Sequence, residues 1–303
     1  MKKTLRIFTA VLAAAVMTTA VFGLVGCDSA EIGETDPNLG TTDEQYLVEG
    51  MSAYDLIMEA YANWCADDGY VRRERFAFTA RMTGASVATR QTNMIRKVSG
   101  DEIYSQEVIL GTGMDGGTKA IRYYFDGQSA WELENTDGSD ISIDEASGLP
   151  VASEWGEFVQ YGGDVDAQNR TLTEHLTTYD FSSREYLSDA HNDGVFLIDG
   201  TYYCTMTLDC STEMMDTVHK AAKDEFLANT GAKDEGFSIE DTTIDFAIKE
   251  IDGQYKFVAW RRNEKYEGTH STIPLPVSCE QTCYSTYSYE GYEIDAEDLL
   301  NLA

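Results

Sequence analysis

Apolar residues follow three different patterns along the chain. Residues 7–26 are almost continuously apolar, residues 28–46 have no apolar period, and the remainder alternates between two periods. From Met51 to Cys65 the apolar positions recur at spacings of three and four, which predicts an amphipathic helix. Ser52, followed three residues later by Asp55, predicts the cap that begins it. The stripe that we expect to face the core is Tyr54, Ile57, Met58, Tyr61, Trp64 and Cys65.

Beyond this helix the period changes to two, which is typical of half-buried strands. In RFAFTARM, residues 75–82, the alternation places one set on the inner face and the other on the outer face: Phe76, Phe78, Ala80 and Met82 against Arg75, Ala77, Thr79 and Arg81. Three pairs of such runs are joined by Asp-Gly, a dipeptide that tolerates the positive φ angles of tight hairpin turns. The chain is therefore predicted to contain antiparallel meanders, with hairpins at Asp126-Gly127, Asp199-Gly200 and Asp252-Gly253.

Two further segments interrupt the strands. Residues 136–190 are acidic and irregular, with a short helix predicted around Trp155, Phe158 and Val159. Residues 212–229 have the helical period again, and Gly231 follows them as an end signal. The predicted fold class is therefore α+β, an antiparallel sheet packed against two or more helices. It forms a single domain over residues 47–303, with an insertion at about 136–190.

The N-terminus predicts export and lipidation. A basic start, Lys2-Lys3, precedes the apolar segment, which is the order found in secretory signals. A permanent membrane-spanning helix is the alternative, since about 20 apolar residues can cross a bilayer. The segment ends in Leu24-Val25-Gly26-Cys27, which resembles a bacterial lipobox and favours the signal peptide, residues 1–26. That resemblance implies a diacylglyceryl cysteine at Cys27, carrying palmitate, and an extracytoplasmic protein anchored to the cell membrane.

The mature chain is strongly acidic. The whole chain has 22 basic and 53 acidic residues, and removal of residues 1–26 takes away three bases and no acid, which changes the net charge from −31 to −34. Residues 27–46 are then a lipidated cysteine and an acidic, flexible tether. This charge excludes binding along nucleic-acid phosphates, and anionic lipid head groups would repel the domain. We therefore expect the N-terminal lipid to make the membrane contact.

Motifs that carry catalysis are missing from the sequence. The four histidines form no HExxH pair, and there is no GxSxG elbow or Ser-x-x-Lys pair. Residues 164–175 approach a calcium loop, but His175 stands where a bidentate glutamate is required, so an acidic surface loop is the preferred interpretation. The sequence thus predicts a non-catalytic protein without a cofactor or a metal ion.

Four of the six cysteines are predicted to lie on apolar strand faces: Cys204, Cys210, Cys279 and Cys283. In an exported protein, disulfides are the first expectation. Cys204 and Cys210 are too far apart along one extended strand to bond to each other, so the candidates are Cys204 with Cys283, or Cys210 with Cys279. A zinc site made of all four thiols is the alternative. Cys65 is expected to be a buried apolar residue of the first helix.

The order of these elements resembles that of a lipoprotein family. A lipobox, an acidic tether, a helix, a meander, a second helix and a closing meander occur in the half-barrel lipoproteins typified by LolA and the LprG-like carriers, and in lipoproteins of Gram-positive bacteria. The resemblance implies a curved sheet, or half-barrel, whose apolar concave face holds acyl chains in some members. The ligand-binding residues would then be Phe76, Phe78, Met82, Tyr202, Met206, Leu208, Met214, Met215, Val277 and Tyr287.

Three function classes follow from this reasoning. The first is a non-catalytic lipoprotein that binds an apolar or amphipathic ligand, such as a lipid, on the inner face of the sheet. The second is a surface or scaffold lipoprotein, whose sheet packs on its helices without a ligand. The third is an extracytoplasmic hydrolase whose catalytic residues form no recognised motif.

Replacing the lipid acceptor tests the anchor. The Cys27→Ala variant lacks the acceptor thiol, so we expect no palmitate incorporation, loss of membrane attachment and a precursor that keeps residues 1–26. Metabolic labelling with palmitate and membrane fractionation measure this outcome. Cys65→Ala, which lacks a different thiol, is the control and should be labelled like the parent. Equal labelling of Cys27→Ala and the parent would contradict the lipobox interpretation.

Overall fold

One antiparallel sheet of 13 strands dominates the computed structural model. The structure describes residues 46–113, 117–135, 140–153, 155, 158–160, 191–217, 220, 223–224, 227, 231–240, 242–272, 274–296 and 299. Within these residues the helices are α1 (Ala53–Ala66) and α2 (Thr212–Asp216). The strands are β1 (Tyr46–Leu47), β2 (Gly69–Met82), β3 (Ala85–Ser99), β4 (Glu102–Gly113), β5 (Lys119–Phe125), β6 (Ala130–Asn135), β7 (Ile141–Ile143), β8 (Pro150–Ala152), β9 (Val159–Gln160), β10 (His191–Ile198), β11 (Thr201–Leu208), β12 (Ser238–Ile239), β13 (Thr242–Ile251), β14 (Gln254–Thr269) and β15 (Pro276–Ser288).

The sheet consists of two meanders joined at its centre. Its strand order is β1-β10-β11-β13-β14-β15-β2-β3-β4-β5-β6-β9, with β12 pairing to β14. The meander from β10 to β15 therefore meets the meander from β2 to β6 through β15 and β2, which pair from Val277↔Met82 to Ser288↔Val71. The remaining two strands, β7 and β8, form a separate hairpin. In the described part of the chain, no helix has both the length and the apolar character needed to cross a membrane.

This sheet corrects the predicted fold class. The α+β half-barrel packed against two or more helices is wrong, because the described residues form a large open sheet with one long helix, α1. The strands are up to 16 residues long, and β15 pairs with β2 at the centre of the strand order. The two meanders therefore form one continuous sheet and not a half-barrel closed by helices. A helix was predicted over residues 212–229. The structure describes its first part as α2, and beyond Thr217 it describes only a few residues of this range. The helix predicted around Trp155 is contradicted at Val159, which lies in β9.

The three Asp-Gly hairpins are confirmed. At Asp199-Gly200 the φ angles are 47° and 73°, and at Asp252-Gly253 they are 53° and 76°. Two successive positive φ angles form the two-residue turn that matches the twist of the flanking strands. The hairpin at Asp126-Gly127 has a wider loop, in which Asp126 N donates to Ser129 O at 3.1 Å and the Asp126 carboxylate accepts from Ser129 N at 2.6 Å.

Helix α1 begins where the sequence predicts, but its buried face is rotated. Ser52 Oγ accepts a hydrogen bond from Asp55 N at 3.3 Å, which confirms the predicted cap. Cys65 is exposed, contrary to the prediction, because the buried face is centred on Ala60 and not on Tyr61. The buried residues of α1 are Ala53, Leu56, Ile57, Ala60 and Trp64.

The helix packs mainly on one half of the sheet, and its Trp64 also contacts the rings of Tyr70 on β2 and Tyr287 on β15. It lies against β10, β11, β13 and β14, and the face of the sheet that it contacts is called the α1 face below. The β7–β8 hairpin lies against β3 and β4 on the opposite face, where Asn93 Nδ2 donates to Pro150 O at 3.2 Å. Between α1 and the sheet is a closed apolar core that includes Met206, Leu208, Ile244, Phe246, Ile248, Phe257 and Trp260.

The closed core predicts a large effect of truncation at Met206. Its side chain is 1% exposed, so Met206→Ala should leave a cavity and lower the free energy of unfolding by about 2–5 kcal/mol. Val159→Ala, at a position 68% exposed on an edge strand, is the control and should change it by less than about 0.5 kcal/mol. Urea unfolding of both variants measures the difference. Similar small effects would show that the core is not closed at this position.

Candidate functional site

A charged cluster lies in the middle of the α1 face, beside the apolar core. It is built on β2, β3, β14 and β15, whose paired residues form rows across the sheet. Three of its arginines are almost fully buried: Arg72 is 2% exposed, Arg96 4% and Arg262 5%. The other polar members of the cluster are Glu74, Glu264, Gln281 and Ser285.

Arg72 is the centre of this cluster. It forms an ion pair with Glu74 on its own strand, and its Nε donates to Ser285 Oγ on β15 at 3.3 Å. Ser285 Oγ in turn donates to Glu74 Oε2 at 2.9 Å, which closes a triangle across the β2–β15 pairing. The guanidinium carbon also lies 5.6 Å from the centroid of the Trp260 ring and 5.9 Å from that of Tyr287. Arg72 is thus held by hydrogen bonds, by opposite charge and by aromatic faces.

The electrostatics of the pair favour its charged form. Burial acts to raise the pKa of Glu74, but the charge of Arg72 and the hydrogen bond from Ser285 outweigh it, so the pKa lies below its ordinary value of 4.5. Burial likewise acts to lower the pKa of Arg72, and the negative charge of Glu74 reverses this, so the net direction is upward. Both side chains are therefore charged at neutral pH.

A second pair extends the cluster onto β14. Arg262 Nη2 lies 3.2 Å from Glu264 Oε2, and both residues are buried on the α1 face. Gln281 on β15 donates from Nε2 to Glu264 and, at 3.3 Å, to the Tyr266 hydroxyl. Each ion pair joins residues two positions apart on one strand, which places arginine and glutamate side by side on the same face.

The predicted ligand-binding residues fall into two environments. Those buried in the core beneath α1 are Met206, Leu208 and Met215, and Val277 is buried at the start of β15. The others are half-buried, namely Phe76, Phe78, Met82, Tyr202 and Tyr287. Phe76 and Phe78 follow Glu74 on the same face of β2, and Tyr287 is directly opposite Arg72, so these three border the charged cluster.

Several predicted residues lie outside the described part of the chain. Cys27 and the calcium-like segment 164–175 are among them, and the same holds for the side chain of Met214. His270 has a described side chain, and its Nδ1 accepts a hydrogen bond from Thr272 N at 3.2 Å within a turn. No group of three or more His, Cys, Asp or Glu side chains is placed to hold a metal ion within the described residues.

The four strand cysteines do not meet. Cys204 lies on β11 and Cys283 on β15, and β13 and β14 run between them. Three strand spacings correspond to about 14 Å, whereas a disulfide requires Cα atoms closer than about 7 Å. The same separation applies to Cys210, whose Sγ lies 3.7 Å from Thr242 Oγ1, and Cys279, so neither predicted pair forms and none of the four cysteines is in a disulfide. Burial raises the pKa of Cys204 and of Cys279 to about 12, which keeps both thiols protonated.

The charged cluster was missed at the level of sequence, although a signal for it exists. The alternation that places Phe76 on the inner face extends back along β2 and places Glu74 and Arg72 on that face as well. On β3 the same period groups Arg96 with Met94, which is 7% exposed. Charged residues in phase with an apolar stripe are thus the signal that marks this site.

Comparison with known proteins gives only slight structural likenesses. No family model and no curated protein matches the sequence. Among solved structures, a lipovitellin structure on lipid–protein interactions has 10% identity over 76% of this chain and 26% of that chain, with a TM-score of 0.31. The GphF dehydratase P1711L variant has 9% identity over 81% of this chain and 87% of that chain, with a TM-score of 0.13. OccK2 of Pseudomonas aeruginosa has 7% identity over 73% of this chain and 97% of that chain, with a TM-score of 0.15. The chain spans about a quarter of the lipovitellin chain, and likenesses this slight carry no argument about function.

The buried pair predicts an acid-dependent loss of stability. Glu74→Gln removes the counter-charge of Arg72 and should lower the free energy of unfolding by about 3–5 kcal/mol at neutral pH. Because the pKa of Glu74 in the fold is below its ordinary value of 4.5, its contribution is complete above that pH and is lost as the pH falls through the folded pKa. Urea unfolding of the variant and the parent at several pH values should therefore give curves that converge in acid.

Glu280→Gln provides the matched control. Glu280 lies on β15 with its side chain on the opposite face, 48% exposed and 2.7 Å from Arg81 Nη1. An exposed pair of this kind contributes less than about 1 kcal/mol. Losses of the same size in the two variants, or a Glu74→Gln loss that does not change with pH, would contradict the buried pair.

Proposed function

We propose that this chain is an extracytoplasmic lipoprotein that binds an amphipathic, lipid-like ligand on the α1 face and catalyses no reaction. The proposed anchor is a lipid on Cys27, exposed after removal of residues 1–26, and residues 27–46 tether the sheet to the membrane. The support for this anchor is the lipobox-like Leu24-Val25-Gly26-Cys27 at the end of the apolar segment. Two or more acyl chains on one cysteine give stable attachment, whereas a single chain gives only marginal attachment.

The observation that carries the binding proposal is the half-buried state of Phe76 and Phe78. Both lie on β2, in the middle of the strand order, yet neither ring is fully buried. Burial of apolar surface contributes about 25 cal/mol per Å². An apolar ligand chain that covers the two rings would therefore gain binding free energy at this position.

The charged cluster supplies the polar counterpart on the same face. Glu74 and Arg72 precede Phe76 on β2, so the apolar and the polar surface are continuous along one strand. A ligand with an apolar chain and a polar head matches this order. Met206 and Leu208 fill the core beneath α1, and we therefore place the ligand over β2, β3 and β15.

A scaffold lipoprotein without a ligand is the second candidate. The closed core between α1 and β10, β11, β13 and β14 favours it, because ordinary packing of a helix on a sheet requires no ligand. The two candidates differ in one measurable property. A binding protein retains a non-covalent lipid during purification, and a scaffold does not.

Native mass spectrometry of the full chain, extracted from membranes in a non-ionic detergent, tests this difference. We expect a non-covalent, lipid-like adduct in addition to any modification of Cys27, identified by extraction and mass spectrometry of the released lipid. Phe78→Ser should weaken retention by about tenfold, since burial of a Phe side chain contributes about 1.5–3 kcal/mol. Leu47→Ser, at a position 58% exposed on β1, is the control and should retain the adduct. If the parent chain carries no adduct, the lipid-binding proposal is wrong and the scaffold function is the remaining candidate.

A further inference from the structure

Two arginines face each other across the pairing of β2 and β3. Arg72 and Arg96 are direct register partners on the α1 face, and they are 2% and 4% exposed. Like charges directly opposite each other on neighbouring strands are destabilising, and burial increases the effect. Such an arrangement requires anionic partners for both side chains.

The partners are distributed unequally. Arg72 is bonded to Glu74 and to Ser285. Arg96 Nε, by contrast, is buried and has no hydrogen-bond partner within the part of the chain that the structure describes. Burial, followed by the charge of Arg72, lowers the pKa of Arg96, and the negative charges of Glu74 and Glu107 oppose this. A buried guanidinium with an unused donor is costly in a stable fold.

The surroundings of Arg96 combine hydrogen-bond donors and apolar side chains with the carboxylate of Glu107, which lies two positions from Ser105 on β4. Ser105 on β4 is directly opposite Arg96 and is 5% exposed, so its hydroxyl lies on the same face. Met94 and Ile103, both buried, lie on this face beside them. Guanidinium and hydroxyl donors bind the oxygens of phosphate and carboxylate groups, and Arg does so with its planar fork.

We propose that Arg96, with Ser105 and Arg72, binds the anionic head, a phosphate or carboxylate oxyanion, of the ligand whose apolar part covers Phe76 and Phe78. This inference rests on the proposed lipid-binding function and specifies its ligand class. The chain carries a net charge of −31, so its surface as a whole repels anions. Recognition of an anionic head must then come from a local site, and the buried arginines provide one.

Calorimetric titration of the full chain in a non-ionic amphipol tests the head-group preference. The probes are decyl phosphate and decanoate, neutral decyl glucoside with the same chain length, and inorganic phosphate without an apolar chain. We expect both anionic decyl probes to bind about tenfold more tightly than decyl glucoside, because charge-assisted hydrogen bonds are the stronger kind. Inorganic phosphate should bind more weakly than decyl phosphate, because it lacks the apolar contact.

Arg96→Gln should remove the preference, so that anionic and neutral decyl probes bind equally. Arg73→Gln is the matched control, because Arg73 is exposed on β2 and adjacent to Arg72 but on the opposite face, and the preference should persist. Should Arg96→Gln fail to fold, Arg96→Lys keeps the charge without the fork and should reduce the preference. The comparison of probes in the parent chain is decisive without any variant.

The outcomes separate the two proposals. Equal binding of decyl phosphate, decanoate and decyl glucoside to the parent would overturn the anion site and leave the lipid-binding function intact. Inorganic phosphate that binds as tightly as decyl phosphate would assign the site to a free anion and overturn the link to an apolar chain. If no decyl probe binds, both the lipid-binding function and the assignment of the anionic head group are contradicted.

Discussion

The structure depends on the pairing of β15 with β2, because this single pairing joins two meanders that are otherwise separate in the chain order. Near the Val71–Ser288 end of this pairing, Arg72, Glu74 and Ser285 form a closed set of an ion pair and two hydrogen bonds. Arg72 and Ser285 are almost fully buried and the Glu74 side chain is only 13% exposed, so these groups satisfy one another's hydrogen bonds. The two halves of the sheet are therefore connected by polar contacts that tolerate little displacement.

These contacts also fix the register of the pairing. A shift of β15 by one residue would turn Ser285 to the opposite face and leave Arg72 and Glu74 without it. Apolar neighbours such as Phe76 impose a weaker constraint, since an apolar side chain can repack against many partners. A buried ion pair contributes little net stability compared with an apolar pair of similar size, and its best-attested role is to specify one arrangement. That role fits a seam between two strands that are distant in sequence.

Local structure could be predicted from the sequence wherever one residue type imposes a backbone conformation. Asp199-Gly200 and Asp252-Gly253 form turns because their positive φ angles suit this dipeptide, and Ser52 caps α1 through its own side chain. The buried face predicted for α1 differs from the observed one by a rotation about the helix axis. The helix packs on the sheet through a small residue, Ala60, whereas the apolar pattern gives more weight to large residues such as Tyr61.

Long-range features could not be predicted in the same way. The predicted cysteine pairs required β11 to neighbour β15, and no local signal shows that β13 and β14 lie between them. The fold class failed for a similar reason, because the joining of β2 and β15 is a contact between distant segments that alternation alone does not encode. The alternation along β2 places Arg72 and Glu74 on the same face as Phe76, so their burial could have been predicted. An arginine in a strand is usually assumed to face solvent, however, and the burial was missed.

The position of α1 explains why the core and the charged cluster coexist on one face. The helix covers the half of the sheet from β10 to β14, and the boundary of its core is formed by Trp260 and Tyr287, joined by a hydrogen bond from Trp260 Nε1 to Tyr287 Oη at 3.1 Å. Arg72 lies over both rings and also belongs to the seam. An anion bound at Arg96, directly opposite Arg72, would offset the repulsion between the two guanidiniums. Ligand binding and the pairing of the two meanders would then stabilise each other, as mass action requires of any ligand that binds only the folded sheet.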